Sequence, residues 1–185
     1  MKKVLFIFIA MIAIFALFAF FSDRDTPSVR TLKYDSAEFG IAFDYPNTYF
    51  LEKKNTGSPQ RERTTIIITE DTEENRELRE GRSGIPREGP VAITVDIFQN
   101  VENLDAEEWV LGMSDSNFKL SNDELVSFTL ADKEALSYRW SGLYEGNSVV
   151  FVHNGRIIMM SVTFFSPSDE IVRVFESILE SIRFR

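Results

Sequence analysis

The chain contains no cysteine and only one histidine, His153, in 185 residues. The first absence excludes disulfides, thiolate metal sites, a cysteine nucleophile and a lipid carried on a cysteine at the end of a signal sequence. The second removes mechanisms that need paired imidazoles, the common zinc hydrolase arrangements among them. Positive charge is scarce as well: 20 Lys and Arg stand against 29 Asp and Glu, a formal net charge of -9. Without Lys2 and Lys3 at the N-terminus the balance is 18 basic against 29 acidic residues, or -11. Such a surface repels phosphate backbones, which argues against a nucleic-acid partner. No serine sits in a Gly-x-Ser-x-Gly elbow, and Gly81, Gly84 and Gly89 lack the spacing and the leading strand of a phosphate loop.

What the chain has is apolar residues, 44% of the total, enough for one domain with a real core plus a targeting segment. Lys2 and Lys3 precede an uncharged apolar run over residues 4–21. As a helix it would extend roughly 27 Å, close to a bilayer core of about 30 Å. Phe20 and Phe21 replace the small residues of a cleavage site, so an uncleaved signal anchor is expected over residues 1–22. With both lysines on the short side, the N-terminus stays cytoplasmic and the rest is exported across the cell membrane as a single-pass protein. Residues 23–35 are polar, include Pro27 and are expected to form a tether, with the folded domain over residues 36–185.

Within the domain, Phe39-Gly40-Ile41-Ala42-Phe43-Asp44-Tyr45-Pro46-Asn47 alternates large apolar with small or polar residues and predicts a strand stopped by Pro46. Residues 49–53 and the β-branched run 64–69 predict two more strands. The densely charged stretch 70–90 reads as a loop with a helical turn near residues 73–79. Val91, Ile93, Val95 and Ile97 fall on one face of a further strand, opposite Ala92, Thr94, Asp96 and Phe98. Asp105 with Glu108 forms a capping box for a helix through Met113, with Leu104 and Trp109 as a hydrophobic staple. Asn154-Gly155 predicts a two-residue turn joining strands 148–153 and 156–165. Segments 125–130 and 134–141 precede them, with turns expected at Asp132-Lys133 and Glu145-Gly146-Asn147, which predicts a four-stranded meander. Ser166, Pro167 and Asp169 signal a closing helix whose stripe Ile171, Phe175, Ile178 and Ile182 should lie on the meander.

Two segments carry a family resemblance: Phe39 to Asn47, and the ending Phe175-Glu176-Ser177-Ile178-Leu179-Glu180-Ser181-Ile182-Arg183-Phe184. In order and spacing they resemble the PsbP-like family, named for an extrinsic subunit of photosystem II, over residues 36–185. The resemblance implies an α+β fold: an antiparallel sheet of about six to eight strands between helices, an α-β-α sandwich. It also implies a binding or assembly module rather than a catalyst. No cofactor or metal is expected, and no catalytic, cofactor-binding or metal residue is assigned.

Several residues carry chemistry in principle. His153 is expected half-exposed at a hairpin end, where it would titrate near neutral pH. Glu70, Asp71, Glu73 and Glu74 form the densest acidic group, but Arg76, Arg79 and Arg82 follow at once, which favours a solvated loop over a calcium site. Leu136, Tyr138 and Trp140 alternate on one strand face, either as an aromatic platform or, preferably, as core beneath the closing helix. Trp109 is expected to anchor its helix, while Asp96 and Glu134 lie on strands that one sequence cannot bring together. These observations favour a membrane-anchored, exported, non-catalytic module that docks another envelope protein, with residues 70–90 as the suggested contact surface. Two alternatives stay open: a carboxylate-based hydrolase of envelope glycans, and a binder of small apolar ligands between sheet and helix.

Overall fold

The structure, a computed structural model, describes residues 29–58, 61–82, 88–121 and 124–185. The expected anchor lies outside the described residues, and no helix among them is long and apolar enough to cross a membrane. In chain order the strands are β1 (Thr31–Ser36), β2 (Ile41–Pro46), β3 (Tyr49–Ser58), β4 (Arg61–Glu70), β5 (Ile93–Gln99), β6 (Val126–Leu130), β7 (Lys133–Ser141), β8 (Glu145–His153), β9 (Arg156–Phe164) and β10 (Arg183–Phe184). The helices are α1 (Glu73–Arg79), α2 (Ala106–Gly112) and α3 (Glu170–Glu180).

Seven strands form one antiparallel sheet in the order β3-β4-β5-β9-β8-β7-β6. Its two faces follow from the period-two alternation along each strand. On β9, Ile158, Met160, Val162 and Phe164 belong to the larger core, whereas Ile157 and Met159 belong to a smaller core on the opposite face. The larger core is closed by α3 together with a second sheet, ordered β1-β2-β10. The smaller one is closed by α2, where Trp109 packs at a tilt against Phe98 with ring centroids 4.9 Å apart. Helices therefore lie on both faces of the large sheet, and the four-stranded meander forms one half of it.

The chain's last residues join the two sheets. The Asp44 amide donates to Ser181 Oγ at 2.9 Å, Ile182 is buried, and Arg183 pairs with Asp44 at 2.6 Å. Phe184 packs edge-on against Phe151 at 5.3 Å. The Ser-Ile-Arg-Phe ending is thus a clasp in which each residue has a separate packing or bonding task.

Four details differ from the expectation. Residues 31–35, placed in the tether by their polarity, pair with β2 from Thr31 opposite Pro46 to Ser36 opposite Ile41. Their side chains are mostly exposed, which hides an edge strand from any pattern based on burial. Helix α3 begins after Asp169, three residues later than Ser166 suggests, because the Asp169 carboxylate folds back to accept the Phe165 and Ser166 amides at 3.0 and 2.9 Å. The β6–β7 turn is centred on Ala131 and Asp132, both at positive φ, so Lys133 already belongs to β7.

Last, Glu145, Gly146 and Asn147 belong to β8 rather than to a turn, with Ser141 opposite Glu145 and residues 142–144 forming the connection. Gly146 faces Trp140, and a Cβ built at Gly146 would meet the indole at 2.3 Å. The glycine is there for close approach, not for a turn. Gly146→Ala is therefore expected to displace the indole and cost about 1–3 kcal/mol, as overpacking does. Gly142→Ala, where the nearest atom to a new Cβ is Leu120 Cδ1 at 3.8 Å, serves as the comparison, and urea unfolding midpoints of the two variants decide it. Equal midpoints would contradict this register.

Candidate functional site

An open concavity with an apolar lining lies between α3 and the β6 end of the large sheet. Alternation on β6 turns Val126, Phe128 and Leu130 toward the α3 side, opposite Ser137, Ala135 and Lys133 on β7. Leu130 is buried, Phe128 half-buried, and Val126 is 57% exposed, so the row emerges from under the helix as it runs outward. Phe175 and Leu179 of α3 face this row and Val149 forms part of the floor, leaving a groove of about 640 Å³. Glu124, Arg139 and Glu176 stand at its edges. Asn147 also lines it, and Asn147 Oδ1 is buried without a hydrogen-bond partner among the described residues.

A second, more polar concavity of about 450 Å³ lies beside the turn between β1 and β2, where Glu38 and Phe39 meet residues of β3, β4 and β5. Its charges are mostly engaged: Lys53 pairs with Glu38 at 2.9 Å and Arg63 with Asp96 at 2.8 Å. Asp96 is 2% exposed, and its Oδ1 also accepts Thr65 Oγ1 at 2.7 Å. This buried carboxylate holds β4 against β5. Glu134 sits on β7, with β9 and β8 between that strand and β5, so the two acids named from the sequence lie on strands that are not neighbours.

The aromatic row Leu136, Tyr138 and Trp140 is core, but it packs beneath α2 and the single-turn helices Ser114–Ser116 and Phe118–Leu120 rather than beneath the closing helix. Tyr138 donates to the Ser116 carbonyl and Trp140 Nε1 donates to Ser148 Oγ at 2.9 Å, which leaves no free platform. The parity of β7 decides this, and it depends on which face α3 covers, a tertiary fact. Trp109 anchors α2 as expected, with the Asp105–Glu108 capping box in place. In the acidic group, Arg76 clasps Asp71 at 3.0 Å and Arg79 approaches it at 3.5 Å, and the Arg76 hydrogen bond holds the Asp71 carboxyl below its ordinary range. No cluster of metal-ligating residues occurs among the described residues.

His153 is not half-exposed. It is 4% exposed, beneath Phe184 at 4.8 Å, with Nε2 donating to the Gly40 carbonyl at 2.9 Å. The carbonyl also takes the Arg185 amide, so the ring serves the same clasp that the chain's ending makes. Nδ1 is buried and unpartnered. Burial holds the His153 pKa below 6.5, with Lys133 and Arg156 adding to the effect. The folded state thus stays neutral where the unfolded chain takes up a proton. Stability from this site is complete above about pH 6.5 and is lost as pH falls below it. Unfolding free energies of wild type and His153→Gln measured from pH 7.5 to 5 should converge toward the acid end. A constant difference would contradict the neutral, buried ring.

No family model matches the chain, and no curated protein does. Among solved structures, cyanobacterial PsbP (CyanoP) from Synechocystis sp. PCC 6803 superposes with a TM-score of 0.54 across 87% of this chain and 96% of that one, at 13% identity. The fold is PsbP-like. A crystal structure from Bacteroides thetaiotaomicron VPI-5482 gives a TM-score of 0.46 at 10% identity, over 83% of this chain and 48% of that one. In this PsbP-like frame residues Ser181 to Phe184 form the clasp between the sheets.

Proposed function

We propose that the chain is a membrane-anchored extracytoplasmic PsbP-like domain that docks another envelope protein and has no catalytic role of its own. The apolar run at residues 4–21 behind Lys2 and Lys3 supports the anchor and the exported orientation. The observation that carries the docking role is the open groove between α3 and β6, where Val126, Phe128 and Leu179 present apolar surface at a sheet edge. The stretch 70–90 is less suited to contact. Among its described residues several charges are engaged within the chain, Asp71 with Arg76 and Arg79, and Arg82 with Glu73 and Glu80.

The test is a cross-linking pull-down of the full chain from its native membranes, with residues 22–185 as the soluble comparison and Val126→Glu as the groove variant. Val126 is exposed, so the variant leaves the core alone. A consistent envelope protein recovered with wild type and reduced about tenfold with Val126→Glu is the expected result, the replacement of one apolar contact by a charge. Recovery of no consistent partner from any bait would remove the docking role. A small apolar compound retained by purified wild type and released by the variant would assign the groove to a ligand instead.

A further inference from the structure

Sheet edges are ordinarily protected against new pairing by charge, proline or bulges. Three outer strands follow that rule: β1 carries Lys33 and Asp35, β3 carries Glu52, Lys53 and Lys54, and β10 carries Arg183. The remaining outer strand, β6, reads Val-Ser-Phe-Thr-Leu and has neither a charge nor a proline. It pairs with β7 alone, and no described strand takes its other side. The same strand borders the groove described above. An unprotected edge beside an apolar channel is the arrangement used when an extended segment adds to a sheet: backbone pairing supplies affinity, and alternate side chains are read by the groove.

Resting on the docking role proposed above, we infer that the partner enters as an extended segment that adds antiparallel to β6, with apolar side chains at alternate positions and basic residues among them. Alternate residues of a strand lie about 7 Å apart on one face, so five residues beside β6 place two or three apolar side chains along Phe128, Phe175 and Leu179. The basic character follows from the rim, where Glu124 and Glu176 outnumber Arg139 and none of the three has an ion-pair partner among the described residues. A second copy of this chain fits less well. Two domains of net charge -11 would meet with their acidic rims facing each other.

The experiment uses the full chain in detergent and, as probe, the blocked peptide Lys-Val-Lys-Val-Thr-Val-Lys-Thr, read by hydrogen exchange and mass spectrometry. Saturable protection of residues 126–130 by about tenfold is expected, because edge amides exchange freely until they are paired. It should disappear when Glu replaces each Lys of the peptide. It should disappear too in Val126→Lys/Thr129→Lys, whose substitutions fall on exposed positions and supply the missing edge charge. Absence of protection, or protection confined to residues 147–149 and 175–179, would overturn strand addition. Protection of residues 126–130 that rises with protein concentration alone would assign the edge to a second copy. If native membranes yield the same partner with wild type and with the double-lysine variant, docking stands and strand addition falls.

Discussion

Asp96→Ala is expected to destabilise the domain by about 2–3 kcal/mol, although Asp96 lies at neither end of a strand and in no recognisable motif. The carboxylate is buried on β5 and accepts Arg63 Nε at 2.8 Å, Thr65 Oγ1 at 2.7 Å and Thr94 Oγ1 at 3.3 Å. Removing one member of a fully buried charge pair costs about 3–5 kcal/mol. Here the Arg63 side chain is 32% exposed and can turn to water, which lowers the figure. Asp96→Asn keeps an acceptor for Arg63 but places an amide where the second oxygen received Thr94, and an intermediate loss of about 1–2 kcal/mol follows. Urea unfolding of the two variants against wild type checks the order. A loss below about 0.5 kcal/mol for Asp96→Ala would mean that the Arg63–Asp96 bond does not join β4 to β5.

The larger expected loss belongs to Ile178→Ala, about 2–5 kcal/mol. Ile178 is fully buried in the last turn of α3, with Val174 and Phe175 before it and Ile182 beyond, and its removal opens space between the helix and both sheets. Because α3 forms one wall of the groove, the variant should also weaken capture of the partner. Glu176→Ala, on the exposed rim of the same helix, is expected within about 0.5 kcal/mol of wild type. A similar loss in both would contradict the docking of α3 described here.

These two residues mark what was legible in the sequence. Ile178 could be read in advance, because a stripe at helical spacing is a local pattern and buries the same way whatever it meets. The capping box at Asp105, the alternation of β5 and the Asn154-Gly155 turn were legible for the same reason. Asp96 could be placed on the polar face of its strand, but its partners Arg63 and Thr65 come from β4, about thirty residues earlier, and only strand register unites them. His153 departs from the expectation because a hairpin end is normally wet. Here the Gly40 turn and the C-terminal clasp, from opposite ends of the domain, cover it. The groove itself left a faint signal: the uncharged segment Val126 to Leu130 was recognisable as a strand, but its place at the sheet edge follows from the order of seven strands. The strand Thr31–Ser36 leaves no such signal, because its exposed, polar side chains look like tether and only its backbone reveals the pairing.

The docking role is tested most directly by capturing the partner from native membranes with three full-length baits in parallel. These are wild type, Val126→Glu in the groove, and Arg82→Glu in the charged stretch that follows α1. The account predicts the same envelope protein with wild type and Arg82→Glu, and its loss with Val126→Glu. Undiminished capture by Val126→Glu, with loss in Arg82→Glu, would contradict the groove and return the contact to residues 70–90.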